Sequence, residues 1–134
     1  MSRRRVERIL VGTDRSETAT RAVRFAVDMA RRYEAKLIVL QAPGERDELE
    51  RYVADHAPGA RYRIDSEDDP AASIVAAAEA EDVDVIVVGN VGMSGRREFL
   101  LGNIPNRVSH NARCTVVIVD TSQPEGFRLP WRKR

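Results

Sequence analysis

The sequence predicts an α/β fold: an open, mostly parallel five-stranded sheet with helices on both faces. Three observations carry this. Five short strand-like runs recur along the chain, at 8–12, 36–41, 60–65, 83–88 and 115–119. Segments with helical spacing of apolar residues separate them. Caps, glycines and prolines punctuate the joins. Strand alternating with helix is the pattern of a parallel sheet, because each crossover must return the chain to the same end before the next strand can pair.

Arg8-Ile9-Leu10-Val11-Gly12 is a short apolar run of the kind buried on both faces of a parallel sheet. Thr13 to Glu17 then offers several N-cap candidates, among them Asp14 with Glu17 three residues on. Ala19, Ala22, Val23, Ala26, Ala30 and Tyr33 share one face, which predicts a helix to about Arg32. Lys36 to Gln41 is the second strand, and Pro43-Gly44 breaks the chain after it. A helix over 45–56 is expected from the common face of Leu49, Tyr52, Val53 and His56. Pro58-Gly59 ends it, and Ala60 to Asp65 alternates like an edge strand. Asp69-Pro70 is a strong helix start, with Asp as the cap and Pro at the first helical position. Ile74, Val75 and Ala78 face inward from the Ala-rich helix to Ala80. The fourth strand, a glycine loop and a helix ending near Ala112 follow, and Thr115 to Val119 is the fifth strand. No structure is assigned to the tail at 121–134. The expected division is a basic extension at 1–7, a single domain at 8–120 and a basic tail at 121–134.

With 134 residues, 43% hydrophobic and 32% charged, the chain can bury a real core and is not of the disordered class. No apolar run is long enough for a membrane span, and the basic start lacks the apolar stretch of a secretory signal. Cytoplasmic residence is the expectation. One cysteine, Cys114, excludes an intramolecular disulfide and Cys-rich zinc patterns, and is read as a small buried residue. Of 22 basic residues only Lys36 and Lys133 are lysine, which leaves almost no candidate for Schiff-base or P-loop chemistry. The segment 44–69 is acidic and both ends are basic. Charged ends are read as solvated tails, with no nucleic-acid motif.

The stretch with chemical content is Gly89 to Asn103, GNVGMSGRREFLLGN. A strand, a glycine loop holding Arg96 and Arg97, and a helix start is where backbone N–H groups and a helix dipole hold phosphate. It is neither of the common phosphate motifs, since no lysine follows a glycine and no G-x-G-x-x-G occurs. Asn103 could cap the following helix or donate its amide to phosphate, and Pro105 suits a first helical turn. If strands one and four flank the switch in strand order, Gly12, Thr13 and Asp14 meet this loop. Asp14 then either accepts from ribose hydroxyls or caps the first helix. His56 and His110 lie on separate helices and are read as surface or boundary residues. No catalytic triad, paired carboxylates or metal set is evident. A response-regulator receiver would need a lysine after strand five, and none is there.

Ile9 to Glu17, Asp84 to Gly89, and the spacing Gly89-x2-Gly92-x9-Gly102 before Val108-Ser109 and Cys114 resemble the universal stress protein family over 8–120. The resemblance implies a Rossmann-like sheet of the adenine nucleotide alpha-hydrolase-like type, with strand order 3-2-1-4-5. It implies that Asp14 meets ribose, that the backbone at Gln41 and Ala42 meets adenine, that Gly89, Gly92, Gly102 and Asn103 hold the phosphates, and that Gly12, Thr13, Asn90, Val91 and Ile104 also belong to the nucleotide site. ATP-binding members carry Ser or Thr after the last glycine; this chain has Asn103, followed by Pro105. The implied ligand is ATP or another adenine nucleotide, AMP and a cyclic nucleotide included, with Mg as an optional companion. The implied role is regulatory, in stress response, as a homodimer joined through Thr115 to Val119 with an unidentified protein partner. The alternatives are a dimeric interaction module without nucleotide, or a weak ATPase; no catalytic residue is assigned.

Overall fold

The computed structural model describes residues 5–65, 69–90 and 103–121. Its elements are β1 (Arg8–Gly12), α1 (Glu17–Tyr33), β2 (Lys36–Gln41), α2 (Arg46–His56), β3 (Arg61–Ile64), α3 (Pro70–Ala80), β4 (Val85–Gly89), α4 (Asn103–Asn111) and β5 (Thr115–Val119). The five strands form one parallel sheet in the order β3-β2-β1-β4-β5, as expected. The chain lays down β1, β2 and β3 outward in one direction. It then crosses back to β4 on the other side of β1, which makes β1 and β4 the switch point.

Strand alternation sorts the core into two layers. Ile9 and Val11, Leu37 and Val39, and Val85 and Val87 point to the side covered by α1 and α2, where they meet Ala22, Val23, Ala26, Leu49 and Val53. Leu10, Ile38, Leu40, Ile86 and Val88 point the other way, against Ile74, Ala77, Ala78 and Val108 of α3 and α4. Each such aliphatic side chain contributes about 1.5–3 kcal/mol on full burial. The central strands are therefore apolar on both faces, and this is why they read as continuous runs.

Local chemistry trims several boundaries. α1 is capped by Ser16, whose Oγ accepts from Ala19 N, and not by Asp14. Tyr33, expected on the apolar face, is 54% exposed, and the buried face of α1 ends at Ala30. β4 begins at Val85 and not at Val83: the Asp84 carboxylate accepts the N–H groups of Glu7 and Arg8 at 2.8 and 3.0 Å, joining the start of β4 to the start of β1. Asp69 caps α3 with Pro70 behind it, as expected. Cys114 is half-buried and not buried. Among the described residues no helix is long and apolar enough to cross a membrane.

Candidate functional site

At the carboxyl end of β1 the chain must leave the sheet and enter α1 within four residues. Thr13 is buried, its N–H donating to the Leu40 carbonyl at 2.9 Å. Its Oγ1 accepts from Arg15 N at 2.9 Å and donates to Tyr52 Oη at 3.4 Å. Tyr52 Oη lies 2.6 Å from Thr20 Oγ1, which donates to the Ser16 carbonyl. These buried hydroxyls satisfy one another, and a satisfied network holds its members in one arrangement. Arg15 takes φ 68°, a left-handed conformation uncommon outside glycine, and this turns the loop sharply.

The turn leaves Asp14 half-buried at the mouth. Its Oδ1 accepts the Ser16 N–H at 2.9 Å, an Asx turn, so helix capping, one of the two roles open to it, is not the one it takes. Its Oδ2 has no partner among the described residues. Gly12, Thr13 and Asp14 line a cavity of about 20 Å3 together with Leu40, Ala42 and Pro70. That is room for about one water, the floor of a crevice. β1, β2 and the start of α3 thus converge on it.

Gln41 and Ala42 occupy the carboxyl end of β2. The Gln41 carbonyl accepts Asp65 N at 3.1 Å, and its side chain is buried with Oε1 accepting from Arg15 Nε at 3.3 Å. Arg15 also pairs with Glu48 at 2.7 Å. Gly44 is required here: a Cβ would sit 2.8 Å from Gln41 Cγ. Gln41 is thereby committed to the scaffold through its side chain and one carbonyl lone pair, and the half-buried Ala42 lines the cavity.

Gly89 and Asn90 stand beside this site at the end of β4, but both are tied toward β5. A Cβ on Gly89 would lie 3.1 Å from Thr121 Cγ2 and 3.2 Å from its Oγ1. Asn90 Oδ1 accepts Thr121 N at 2.9 Å, and Asn90 Nδ2 donates to Asp120 Oδ1 at 3.2 Å. Thr121 is 1% exposed, and its carbonyl accepts from Arg21 of α1 at 2.7 Å. Sequence reasoning left Thr121 in an unstructured tail; here it is the anchor under the first residues of the glycine loop. Only the missing side chain at Gly89 hinted at a neighbour. Val91, Gly92 and Gly102, with Arg96 and Arg97, lie outside the described residues. Asn103 opens α4, and Ile104 packs against the core layer under α3.

Asp69 and Arg107 join α3 to α4 through two hydrogen bonds, at 2.8 and 2.9 Å. The Arg107 side chain, with help from the Ala72 N–H, holds the Asp69 carboxyl below the usual carboxylate range, and Asp69 in turn raises Arg107. His56 stacks on Tyr52 with centroids 4.5 Å apart, and no three metal-ligating side chains converge among the described residues.

A parallel five-stranded sheet whose order turns back between β1 and β4 places the chain in the doubly wound α/β class. The family model described as the universal stress protein family matches residues 5–68 and 41–120. The chain belongs to the universal stress protein family. It is 31% identical to the universal stress protein Rv1636 of Mycobacterium tuberculosis, over 85% of this chain and 96% of that one. A solved universal stress protein in complex with cAMP matches with TM-score 0.70 and 34% identity, over 87% of this chain and 98% of that chain. A universal stress protein from Archaeoglobus fulgidus in complex with dAMP shares the fold, with TM-score 0.59 and 23% identity over 85% and 98% of the two chains.

Proposed function

We propose that this chain is an adenine-nucleotide-binding regulatory protein of stress response. The observation that carries the proposal is the Asp14 carboxylate, held at the switch point with Oδ2 open to the crevice. One oxygen is fixed by Ser16 N–H, and the other is suited to accept from ribose hydroxyls without a reorganisation cost. The backbone at Ala42 would meet the base. Gly89 to Asn103 would hold phosphate, with Gly92, Gly102 and Asn103 as the phosphate contacts and Arg96 or Arg97 as nearby charge. The reading is supported by the cAMP complex of a relative at 34% identity.

A monophosphate or cyclic nucleotide fits Asn103 and Pro105 better than a longer phosphate chain. Pro105 supplies no N–H, and Asn offers an amide where a hydroxyl would serve a metal. ATP is then the weaker ligand, and any Mg would be held mainly by its phosphates. Binding is the activity this reading assigns, with the open Asp14 carboxylate as the acceptor for ribose. The second copy of a homodimer would pair along β5, an edge strand whose Ile118 is 37% exposed. Cytoplasmic residence is part of the same reading.

The test is mass spectrometry of the supernatant from denatured, freshly purified protein, followed by calorimetric titration of the stripped chain with cAMP, AMP and ATP. Saturable heat with cAMP or AMP, lost in Asp14→Ala, is expected. No heat with any of the three at millimolar concentration would sink the proposal.

A further inference from the structure

The opposite end of the sheet carries a second concavity, of about 540 Å3, within the range of small-molecule pockets. It opens where α1 ends, β2 and β3 begin, and the Pro58-Gly59 turn leaves α2. Its walls are apolar, from Val27, Ala30, Leu37 and Ala57. Its charged lining residues are all cations, Arg31, Lys36 and Arg61, with no carboxylate among them, although the chain as a whole holds 21 acids. Arg61 donates to Glu81 at 3.3 Å, whereas the side chains of Arg31 and Lys36 have no partner among the described residues.

We infer that this amino-end pocket binds a small amphipathic carboxylate, with its apolar body against Val27, Leu37 and Ala57 and its headgroup between Arg31 and Lys36. Apolar walls select the body and the unpaired cations select the sign of the head. The lysine and arginine stems extend the apolar wall while their charged ends stay in water, which suits a ligand with one wet end. Two helix C-termini point here and would by themselves repel an anion. Some last-turn carbonyls are already taken, Ala30 O by Ala35 N at 2.8 Å, Arg31 O by Glu34 N at 3.3 Å and Val53 O by Ala57 N at 2.8 Å, and Arg31 and Arg32 offset the dipole of α1. The chain's own basic ends are like-charged with the rim and are poor occupants. The pocket lies at the far end of β2 from Asp14, so it stands or falls independently of nucleotide binding.

The experiment titrates the isotope-labelled full chain with dodecanoate below its micellar concentration and follows backbone amide shifts. Saturable shifts confined to residues 30–37 and 57–61 are expected. The double variant Arg31→Glu, Lys36→Glu should weaken binding at least tenfold, Ala35→Trp should block it, and neutral dodecanol should bind more weakly than dodecanoate. Both variants alter exposed or half-buried positions, and an unchanged melting temperature with unchanged amide shifts away from the pocket confirms that they fold. The inference is overturned by an absence of saturable shifts, by shifts elsewhere, by affinity indifferent to the charge reversal, or by binding to phosphatidylglycerol vesicles without binding to monomeric dodecanoate.

Discussion

At the carboxyl end of β2 Gln41 is buried and held by Arg15, while at its amino end Lys36 stands in solvent over apolar walls. The same strands therefore finish in two different chemistries. The carboxyl end is a web of committed polar groups, in which Thr13, Tyr52, Thr20 and Ser16 satisfy one another and Asn90 holds Thr121. The amino end is stitched by backbone bonds such as Lys36 N to the Glu7 carbonyl, and the side chains of Arg31 and Lys36 have no partner among the described residues. The difference teaches where precision is stored. A web of satisfied hydroxyls holds one carboxylate, Asp14, in a fixed pose, whereas an apolar concavity tolerates many shapes and selects mainly by charge.

The comparison can be broken first at Asp14. Asp14→Ala removes a charge-assisted acceptor worth about 1.5–3 kcal/mol, so cAMP affinity should fall roughly ten- to a hundredfold with little change in melting temperature. An equal loss of stability would mean that the carboxylate is scaffold, like its neighbours. Gly89→Val tests the web itself. Its side chain would enter the space of Thr121, at a cost of about 1–3 kcal/mol for overpacking a filled site, read from denaturant unfolding. Tyr52→Phe deletes the hydroxyl between Thr13 and Thr20 and should cost about 1–2 kcal/mol, together with a measurable weakening of nucleotide binding as Thr13 loses its hold.

The smallest effect is expected at Asp69, where the bridge to Arg107 is exposed. Because the folded carboxyl titrates below its ordinary value, its contribution is complete above the usual carboxylate pKa and fades as pH falls through the depressed one. Asp69→Asn, which keeps a capping side chain, should lower the melting temperature slightly at neutral pH. That difference should close in acid, and a difference that widened there would refute the assignment.

Much of the fold was legible because its signals are local. Asp69-Pro70, Pro58-Gly59 and the continuous apolar strands each announce themselves within a few residues, and the strand order followed from the resemblance. Asp14 as cap failed because Thr13, Asp14 and Ser16 all suit the role, and only the left-handed Arg15 decides which one faces the helix. Tyr33 failed because periodicity places a residue on a face and cannot tell how far along the helix that face stays covered. Thr121 was invisible for a different reason: its burial depends on Gly89, far away in sequence, having no side chain. The amino-end pocket drew on segments at 27–37 and 57–61 that share no motif.

The anchor at Thr121 also dictates how the chain can be cut. A variant made to ask what the basic end contributes has to retain residue 121. Ending the chain at 120 would withdraw the N–H that Asn90 accepts and the carbonyl that Arg21 grips, and would open a hole above Gly89. Loss of ligand in such a truncation would report damage at the root of the glycine loop, not the absence of a tail.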